Sequence, residues 1–179
     1  PRAHDWVLQR PSSPCAQLVL LFHGYGSTPQ AMEPLAIQVM QTFPGAWVVS
    51  VAAHFRSALH PGFEWFSTAG IADDNRPARV AAAMPAFRSA VEHWQRESGI
   101  TAHATCLIGF SQGAIMALES TQDVQPGADL AGRIVALSGR FATLPWRKPP
   151  ATTVHMIHGK QDVVLHYGLT VQAAEHWIA

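Results

Sequence analysis

The chain has 179 residues, of which 48% are hydrophobic and 13% are charged. These proportions exclude a disordered polypeptide and indicate a single globular domain, residues 1–179, with a sizeable core. Twelve basic residues balance twelve acidic ones, so no net charge would attract nucleic acid or an anionic membrane. No apolar run approaches the ~20 residues of a membrane span. With two cysteines and no apolar signal segment, we expect a cytoplasmic protein.

The predicted elements alternate between strands and helices along the chain. Apolar runs predict strands, mostly covered on both faces, at 6–8, 18–22, 47–51, 105–110, 134–137 and 154–157. Helical periodicity and capping residues predict helices at 28–42, 76–96, 112–120 and from 169 onward. The intervening segment 52–75 is long enough that we expect it to be functional. This alternation is typical of a mostly parallel sheet with helices on both faces.

The most informative motif is Gly109-Phe110-Ser111-Gln112-Gly113. It follows an apolar run and precedes a helical pattern, so it predicts a strand, a sharp turn and a helix. Such a turn strains the serine backbone and lifts the hydroxyl out of the sheet. The flanking glycines fit because neighbouring backbone passes too close for a Cβ atom. The motif therefore indicates that Ser111 is a nucleophile, and the alternative is that it only caps the helix.

A serine nucleophile needs a base, a carboxylate that orients the base, and N–H donors for the oxyanion. The backbone amide of Gln112, at a helix N-terminus, is one predicted donor. The amide of Tyr25 is the second, in the glycine-rich loop 23–27 where Gly24 lets the backbone approach the substrate. Asp162 follows a predicted strand and suits the role of the acid, and the alternative is a turn residue.

The remaining candidate residues are two aromatic residues and the histidines. Trp65 and Phe66 either pack the segment 52–75 against the core or line an acyl pocket as substrate-binding residues. His23 is predicted to hold the glycine-rich loop by hydrogen bonds and not to act as a base. The chain contains ten histidines, but no paired Cys/His spacing or metalloprotease motif supports a metal site.

Several segments, in order along nearly the whole chain, resemble the carboxylesterase/phospholipase family of α/β-hydrolases, which includes acyl-protein thioesterases and small bacterial serine esterases. The matching segments are 21–26, 65–66, 70–71, 109–114, 137–139, 158–159 and 162–164. The resemblance implies an α/β-hydrolase three-layer sandwich that cleaves small-molecule esters or thioesters through an acyl-enzyme, without cofactor or metal. It also implies Ser111 as nucleophile, Asp162 as acid, and the amides of Tyr25 and Gln112 as the oxyanion hole.

The sequence departs from this family at the catalytic histidine, which there follows one more helix and strand, usually within a Gly-His pair. After Asp162 the candidates are His166 and His176, and neither position suits a base between Asp162 and Ser111. We therefore expect a C-terminal truncation, with the last strand and helix missing and the histidine beyond Ala179. Such a chain would expose a strand edge and an apolar face and could form a homodimer. The alternative function is a catalytically inert binding module with a hydrolase fold.

Overall fold

A computed structural model describes residues 2–12, 15–58, 60–122 and 129–178. The main strands are β1 (Trp6–Gln9), β2 (Leu18–Phe22), β3 (Trp47–Val51), β6 (Thr105–Phe110), β7 (Arg133–Leu137) and β8 (Thr153–Ile157), and a separate antiparallel hairpin consists of β4 (Phe55–Arg56) and β5 (Phe63–Glu64). Among the residues described, the main strands form one six-stranded sheet in the order β1-β3-β2-β6-β7-β8. β1 pairs antiparallel with β3, and the other four pairings in this sheet are parallel.

In the described part of the chain, four α-helices connect or follow these strands. They are α1 (Glu33–Thr42), α2 (Arg76–Ser98), α3 (Gln112–Glu119) and α4 (Gly168–Ile178). Short 3₁₀ turns at Pro29–Met32 and Ala102–Ala104 precede α1 and β6. Within the described ranges, no helix combines the length and the apolar character needed to cross a bilayer.

The two faces of the sheet bury separate core clusters. Along β2, Leu18, Leu20 and Phe22 belong to a large cluster that includes residues of α2, α3 and α4. Val19 and Leu21, which alternate with them, belong to a smaller cluster with α1. β2 and β3 are completely buried, which confirms the interpretation of continuous apolar runs as strands covered on both faces.

The α1 side of the sheet is less completely covered beyond β6. A groove of about 710 Å³ runs there, lined by side chains that include Cys106, Val135 and His155. β8 is the last strand of the sheet, and its residues alternate between exposed and half-buried. Ile157, at the end of β8, is 58% exposed. The sheet is therefore best packed at β2 and β3 and most open at β8.

The predicted order of elements is confirmed, with boundaries that differ by one or two residues at most ends. The helix predicted at 28–42 begins as a 3₁₀ turn and becomes α-helical at Glu33. Pro34 is tolerated because it lies in the first turn of α1, where an N–H has no acceptor in the helix. The hairpin of β4 and β5 within 52–75 was not predicted, since two-residue strands are too short to show an alternating pattern.

Candidate active site

Ser111 lies in the turn between β6 and α3, with φ of 51° and ψ of −115°. A non-glycine residue in this region stores strain of roughly 1–3 kcal/mol, which surrounding contacts must maintain. The N–H of Ser111 donates to the carbonyl of Leu137 at 2.9 Å, and its carbonyl accepts from the N–H of Ile115 at 3.0 Å. The strained turn expected from the motif is therefore present, and it is anchored to β7 on one side and to α3 on the other.

The two glycines of the motif are required by close backbone contacts. A Cβ atom on Gly109 would lie 2.5 Å from the backbone N of Ala114. A Cβ atom on Gly113 would lie 2.3 Å from the carbonyl oxygen of Phe22. The elbow thus brings the start of α3 directly against β6 and the end of β2.

The hydroxyl of Ser111 is not used as a helix cap. Ser111 occupies the N-cap position of α3, but its side chain makes no capping hydrogen bond. The residue is half-buried, and in the part of the chain that the structure describes its hydroxyl has no hydrogen-bond partner. The capping alternative therefore does not explain this serine.

The glycine-rich loop after β2 packs against the serine turn. A Cβ atom on Gly24 would lie 3.4 Å from the Cβ of Ser111 and 3.3 Å from Cδ1 of Phe110. Within the described residues, the N–H of Tyr25 donates to no backbone acceptor. The N–H of Gln112, the first residue of α3, has no carbonyl one turn earlier in the helix to accept it. The structure thus places the glycine-rich loop, which carries the amide of Tyr25, beside the turn that carries the amide of Gln112.

His23 holds the glycine-rich loop in place by hydrogen bonds. Its ring is completely buried, with Nδ1–H donating to the carbonyl of Gly24 at 2.7 Å and Nε2 accepting from the N–H of Ala53 at 3.1 Å. Burial lowers the pKa of His23, so the ring is neutral at neutral pH. Because both nitrogens are engaged, His23 has the structural function that the sequence predicted.

Trp65 and Phe66 lie in the core, at 1% and 3% exposure. The Trp65 ring packs edge-on against Phe22 and Phe87, and its Nε1–H donates to the carbonyl of His23 at 2.9 Å. The structure shows that both residues pack the segment 52–75 against the core. Their role in lining an acyl pocket stays a prediction.

The side chain of Gln112 connects this segment to the serine turn. It is 3% exposed, with Oε1 accepting from the N–H of Trp65 at 2.8 Å and Nε2 donating to the carbonyl of Phe66 at 2.7 Å. Sequence reasoning identified only the backbone amide of Gln112. A glutamine in the first turn of a helix usually faces solvent, so nothing in the motif indicated this buried contact.

Asp162 lies in the turn after β8. Its Oδ1 accepts from the N–H groups of Val164 and Leu165, both at 2.9 Å, and its Oδ2 lies 3.2 Å from Nε2 of His158. The hydrogen bonds from Leu165 and Val164 lower the pKa of Asp162, with smaller contributions from His158 and the hydroxyl of Ser138. Oδ1 therefore stabilises the turn, which agrees with the alternative interpretation of Asp162 as a turn residue. The carboxylate is ionised, and its Oδ2 faces the neighbouring side chains.

Two residues that contact Asp162 were missed by sequence reasoning. His158 has a side chain only 3% exposed. Its Nε2–H donates to the carbonyl of Leu165 at 2.7 Å, and its Nδ1 lies 2.7 Å from Oγ1 of Thr170. Ser138 follows β7 with φ of 47°, a second strained serine at the same edge of the sheet. The four-residue spacing from His158 to Asp162 was the available signal, whereas nothing in the sequence indicates the φ of Ser138.

Ser111 and Asp162 follow β6 and β8, and β7 lies between these strands. The end of β7 connects them, because Leu137 accepts the N–H of Ser111 and the hydroxyl of the next residue, Ser138, contributes to the lowered pKa of Asp162. The structure thus brings Gly24, Gln112 and Ser111 into contact and places Asp162 at the same edge of the sheet. This is the edge where parallel α/β sheets bind ligands.

The groove on the α1 side of the sheet lies elsewhere. Its lining residues come mainly from β2, β6, β7 and β8 and from α1, and they do not include Gly24, Ser111 or Asp162. The groove follows the face of the sheet, whereas the candidate site lies at the carboxyl ends of the strands. This groove is therefore separate from the candidate site.

The site combines a strained serine between a strand and a helix, a glycine-rich loop beside it, and a later carboxylate after another strand. This combination defines an α/β-hydrolase. Residues 3–179 match the Phospholipase/Carboxylesterase family, and the chain belongs to that family. It is 49% identical over 177 residues to Esterase YpfH of Escherichia coli strain K12, an alignment that covers 98% of this chain and 75% of that protein.

Solved structures show the same fold. The crystal structure of esterase PE8 superposes with a TM-score of 0.84 at 28% identity, covering 96% of this chain and 81% of that one. The Bacillus cereus carboxylesterase has a TM-score of 0.72 at 18% identity, covering 96% and 77%, and shows likeness of fold alone. The family and the fold class predicted from the sequence are confirmed, and the chain is an enzyme of the esterase type.

Proposed function

We propose that this protein is a serine carboxylesterase or thioesterase that acts on small-molecule esters or acyl thioesters, with Ser111 as its nucleophile. One observation carries the proposal: Ser111 is held in a strained turn with a hydroxyl that caps nothing. Gly24 packs directly against it, which supports the amides of the next residue, Tyr25, and of Gln112 as its oxyanion donors. Two such donors beside a free hydroxyl fit acyl transfer better than a binding function.

The proposed reaction uses these groups in turn. Oγ of Ser111 bonds to the substrate carbonyl carbon while a histidine base takes its proton, and the oxyanion accepts hydrogen bonds from the amides of Tyr25 and Gln112. The C–O or C–S bond then breaks, the leaving group takes the proton, and water hydrolyses the acyl-serine. Asp162, kept ionised by its hydrogen bonds, orients the histidine and stabilises its charged form. Each oxyanion donor contributes about a hundred- to a thousand-fold in rate.

The base of this scheme is not one of the histidines near Asp162. Both nitrogens of His158 are engaged by Leu165 and Thr170. Nδ1 of His166 accepts from the N–H of Gly168 at 3.1 Å. Within the described residues, no histidine hydrogen-bonds to Ser111, so we assign the role of the base to none of them.

The first test is hydrolysis of short p-nitrophenyl esters and acyl thioesters. We expect the Ser111→Ala variant to lose at least about a thousand-fold in kcat, because only the oxyanion donors and substrate binding remain. Ser98→Ala is the matched control, since that hydroxyl donates to the carbonyl of Trp94 at the end of α2. Unchanged turnover in Ser111→Ala would refute the proposal.

A fluorophosphonate probe distinguishes the enzyme from an inert module without relying on turnover. The serine oxygen displaces fluoride and forms a stable bond to phosphorus, so the labelled peptide should be the one that contains Ser111. An inert module would take up no label at this peptide.

A further inference from the structure

We infer that the side chains of Gln112 and Trp65 are positioning residues, which fix the two oxyanion donors relative to each other. This inference rests on the proposed function, because it concerns the amides of Tyr25 and Gln112. The two donors lie on separate elements, the loop after β2 and the start of α3. A continuous set of buried hydrogen bonds connects these elements, and it passes through Trp65 and His23.

The first connection is the carboxamide of Gln112. It pairs with the N–H of Trp65 and the carbonyl of Phe66, so both ends of the carboxamide bind the backbone of the segment 52–75. A buried partner left unpaired destabilises the folded state more than the net contribution of the bond itself. Because this side chain belongs to the residue whose amide binds the oxyanion, a shift of the first turn of α3 would break both bonds.

The second connection is the indole of Trp65. Its Nε1–H donates to the carbonyl of His23, and the His23 ring donates in turn to the carbonyl of Gly24. The Gly24 carbonyl belongs to the same peptide unit as the N–H of Tyr25. Trp65 and His23 are 1% and 0% exposed, and hydrogen bonds in such an environment are stronger than in water.

Close packing makes the arrangement sensitive to small displacements. The backbone of Gly113 lies so near the carbonyls of Phe22 and His23 that a Cβ atom would be 2.3 and 2.7 Å from their oxygens. The start of α3 therefore contacts the peptides that precede the oxyanion loop. A displacement of about 1 Å at a reacting group costs about a hundred-fold in rate, so loss of either connection should lower kcat.

The first experiment compares Trp65→Phe with Trp94→Phe. Both tryptophans are buried, at 1% and 3% exposure, and the indole of Trp94 donates to Oδ2 of Asp5 at 2.7 Å. We expect kcat of Trp65→Phe to fall about ten- to a hundred-fold with KM changed by less than about two-fold. Trp94→Phe should keep its kcat although it loses a bond to a charged acceptor, which is the stronger kind.

The second experiment compares Gln112→Glu with Gln122→Glu. A carboxylate at position 112 would repel the carbonyl of Phe66, and a protonated carboxyl would donate to it again. The ratio of wild-type to Gln112→Glu kcat should therefore shrink as the pH falls. Gln122 is a buried glutamine whose Oε1 accepts from Trp146 and whose Nε2 donates to Thr121, so Gln122→Glu controls for the charge alone and should leave kcat unchanged.

Amide hydrogen exchange gives a readout that does not need turnover. The N–H of Gly26 donates to the carbonyl of Phe63 in β5, and the N–H of Ser27 donates to the carbonyl of Gly24. Exchange of both should accelerate in Trp65→Phe and Gln112→Glu but not in the two controls. Equal effects of Trp65→Phe and Trp94→Phe on kcat, or unchanged loop exchange in both site variants, would overturn the inference. A wild-type protein with no Ser111-dependent turnover would instead refute the proposed function, and the exchange result would still decide the positioning.

Discussion

The serine end and the acid end of the candidate site are built in different ways. Around Ser111, β2 is completely buried and backbone atoms approach the flanking glycines too closely for any side chain. Around Asp162, the chain follows the last strand of the sheet, and Val163 and Val164 are 96% and 83% exposed. The position of the serine is thus set by packing between distant elements. The position of the acid is set by hydrogen bonds within one turn.

The largest expected effect comes from Asp162→Asn. Asparagine can still accept the N–H groups that Oδ1 accepts, so the turn should persist. A neutral amide cannot stabilise the positive charge on the catalytic histidine, and we expect kcat to fall by up to about 10⁴-fold. The measurement is kcat with a p-nitrophenyl ester, together with the unfolding midpoint.

Asp129→Asn is the matched control for this substitution. Asp129 also accepts a backbone N–H, from Ala151 at 3.1 Å, and lies 3.3 Å from the guanidinium of Arg147. This variant should change stability more than Asp162→Asn and leave kcat unchanged. A kcat of Asp162→Asn within about ten-fold of wild type would contradict the assignment of Asp162 as the acid.

A methyl group at each end tests the difference in packing. Gly113→Ala would place a Cβ atom 2.3 Å from the carbonyl oxygen of Phe22, and backbone atoms of β2 cannot move aside easily. We expect the free energy of unfolding to fall by about 3 kcal/mol or more. Gly159→Ala, in the turn before Asp162, meets no atom within 4 Å among the described residues and should change stability by less than about 0.5 kcal/mol. Equal losses in denaturant titrations would show that the two ends are packed alike.

A smaller effect is expected from Thr170→Val. The hydroxyl of Thr170 contacts Nδ1 of His158 at 2.7 Å, and valine keeps its shape without the hydrogen bond. His158 would then hold the Asp162 turn less firmly, and we expect about a two- to ten-fold loss of kcat with about 1 kcal/mol of stability. Thr152→Val removes a hydroxyl that donates to Ala131 at 2.7 Å, and it should lower stability similarly without changing kcat. A Thr170→Val enzyme with wild-type kcat would exclude a positioning role for His158.

The contrast between the two ends also explains what the sequence could predict. The turn at Ser111 was predictable because its constraint is local: a strained residue and two positions without space for a Cβ atom leave glycines at fixed spacing. The position of Asp162 was predictable because an apolar strand pattern precedes it and a glycine-containing turn carries it. The side-chain contacts of Gln112 were not, because they depend on the path of 52–75, which has no periodicity. The partners His158 and Ser138 come from the ends of two different strands, and no local pattern connects them.

The smallest expected effect is a pH dependence of stability from Asp162. Hydrogen bonds lower the pKa of this carboxyl in the folded protein below its ordinary value of 3.8. A carboxyl with a lowered folded pKa stabilises the folded state above its unfolded pKa, and the contribution is lost as the pH falls through the folded pKa. The stability difference between wild type and Asp162→Asn should therefore be constant near neutral pH and shrink on acidification below the ordinary value. Urea titrations across this range measure it.

Glu119, at the end of the helix that Ser111 begins, gives the opposite sign as a control. Burial raises the pKa of Glu119, although the N–H groups of Ala142 and Thr143 partly offset the shift. A carboxyl with a raised folded pKa favours the folded state while it is protonated, and this contribution is lost as the pH rises above 4.5, its ordinary value. The stability difference between wild type and Glu119→Gln should thus change as the pH rises above 4.5. The stability difference between wild type and Asp162→Asn should instead change as the pH falls below 3.8. If the two stability differences changed in the same direction with pH, the turn after β8 would be buried like the core. The two ends of the site would then not differ in burial.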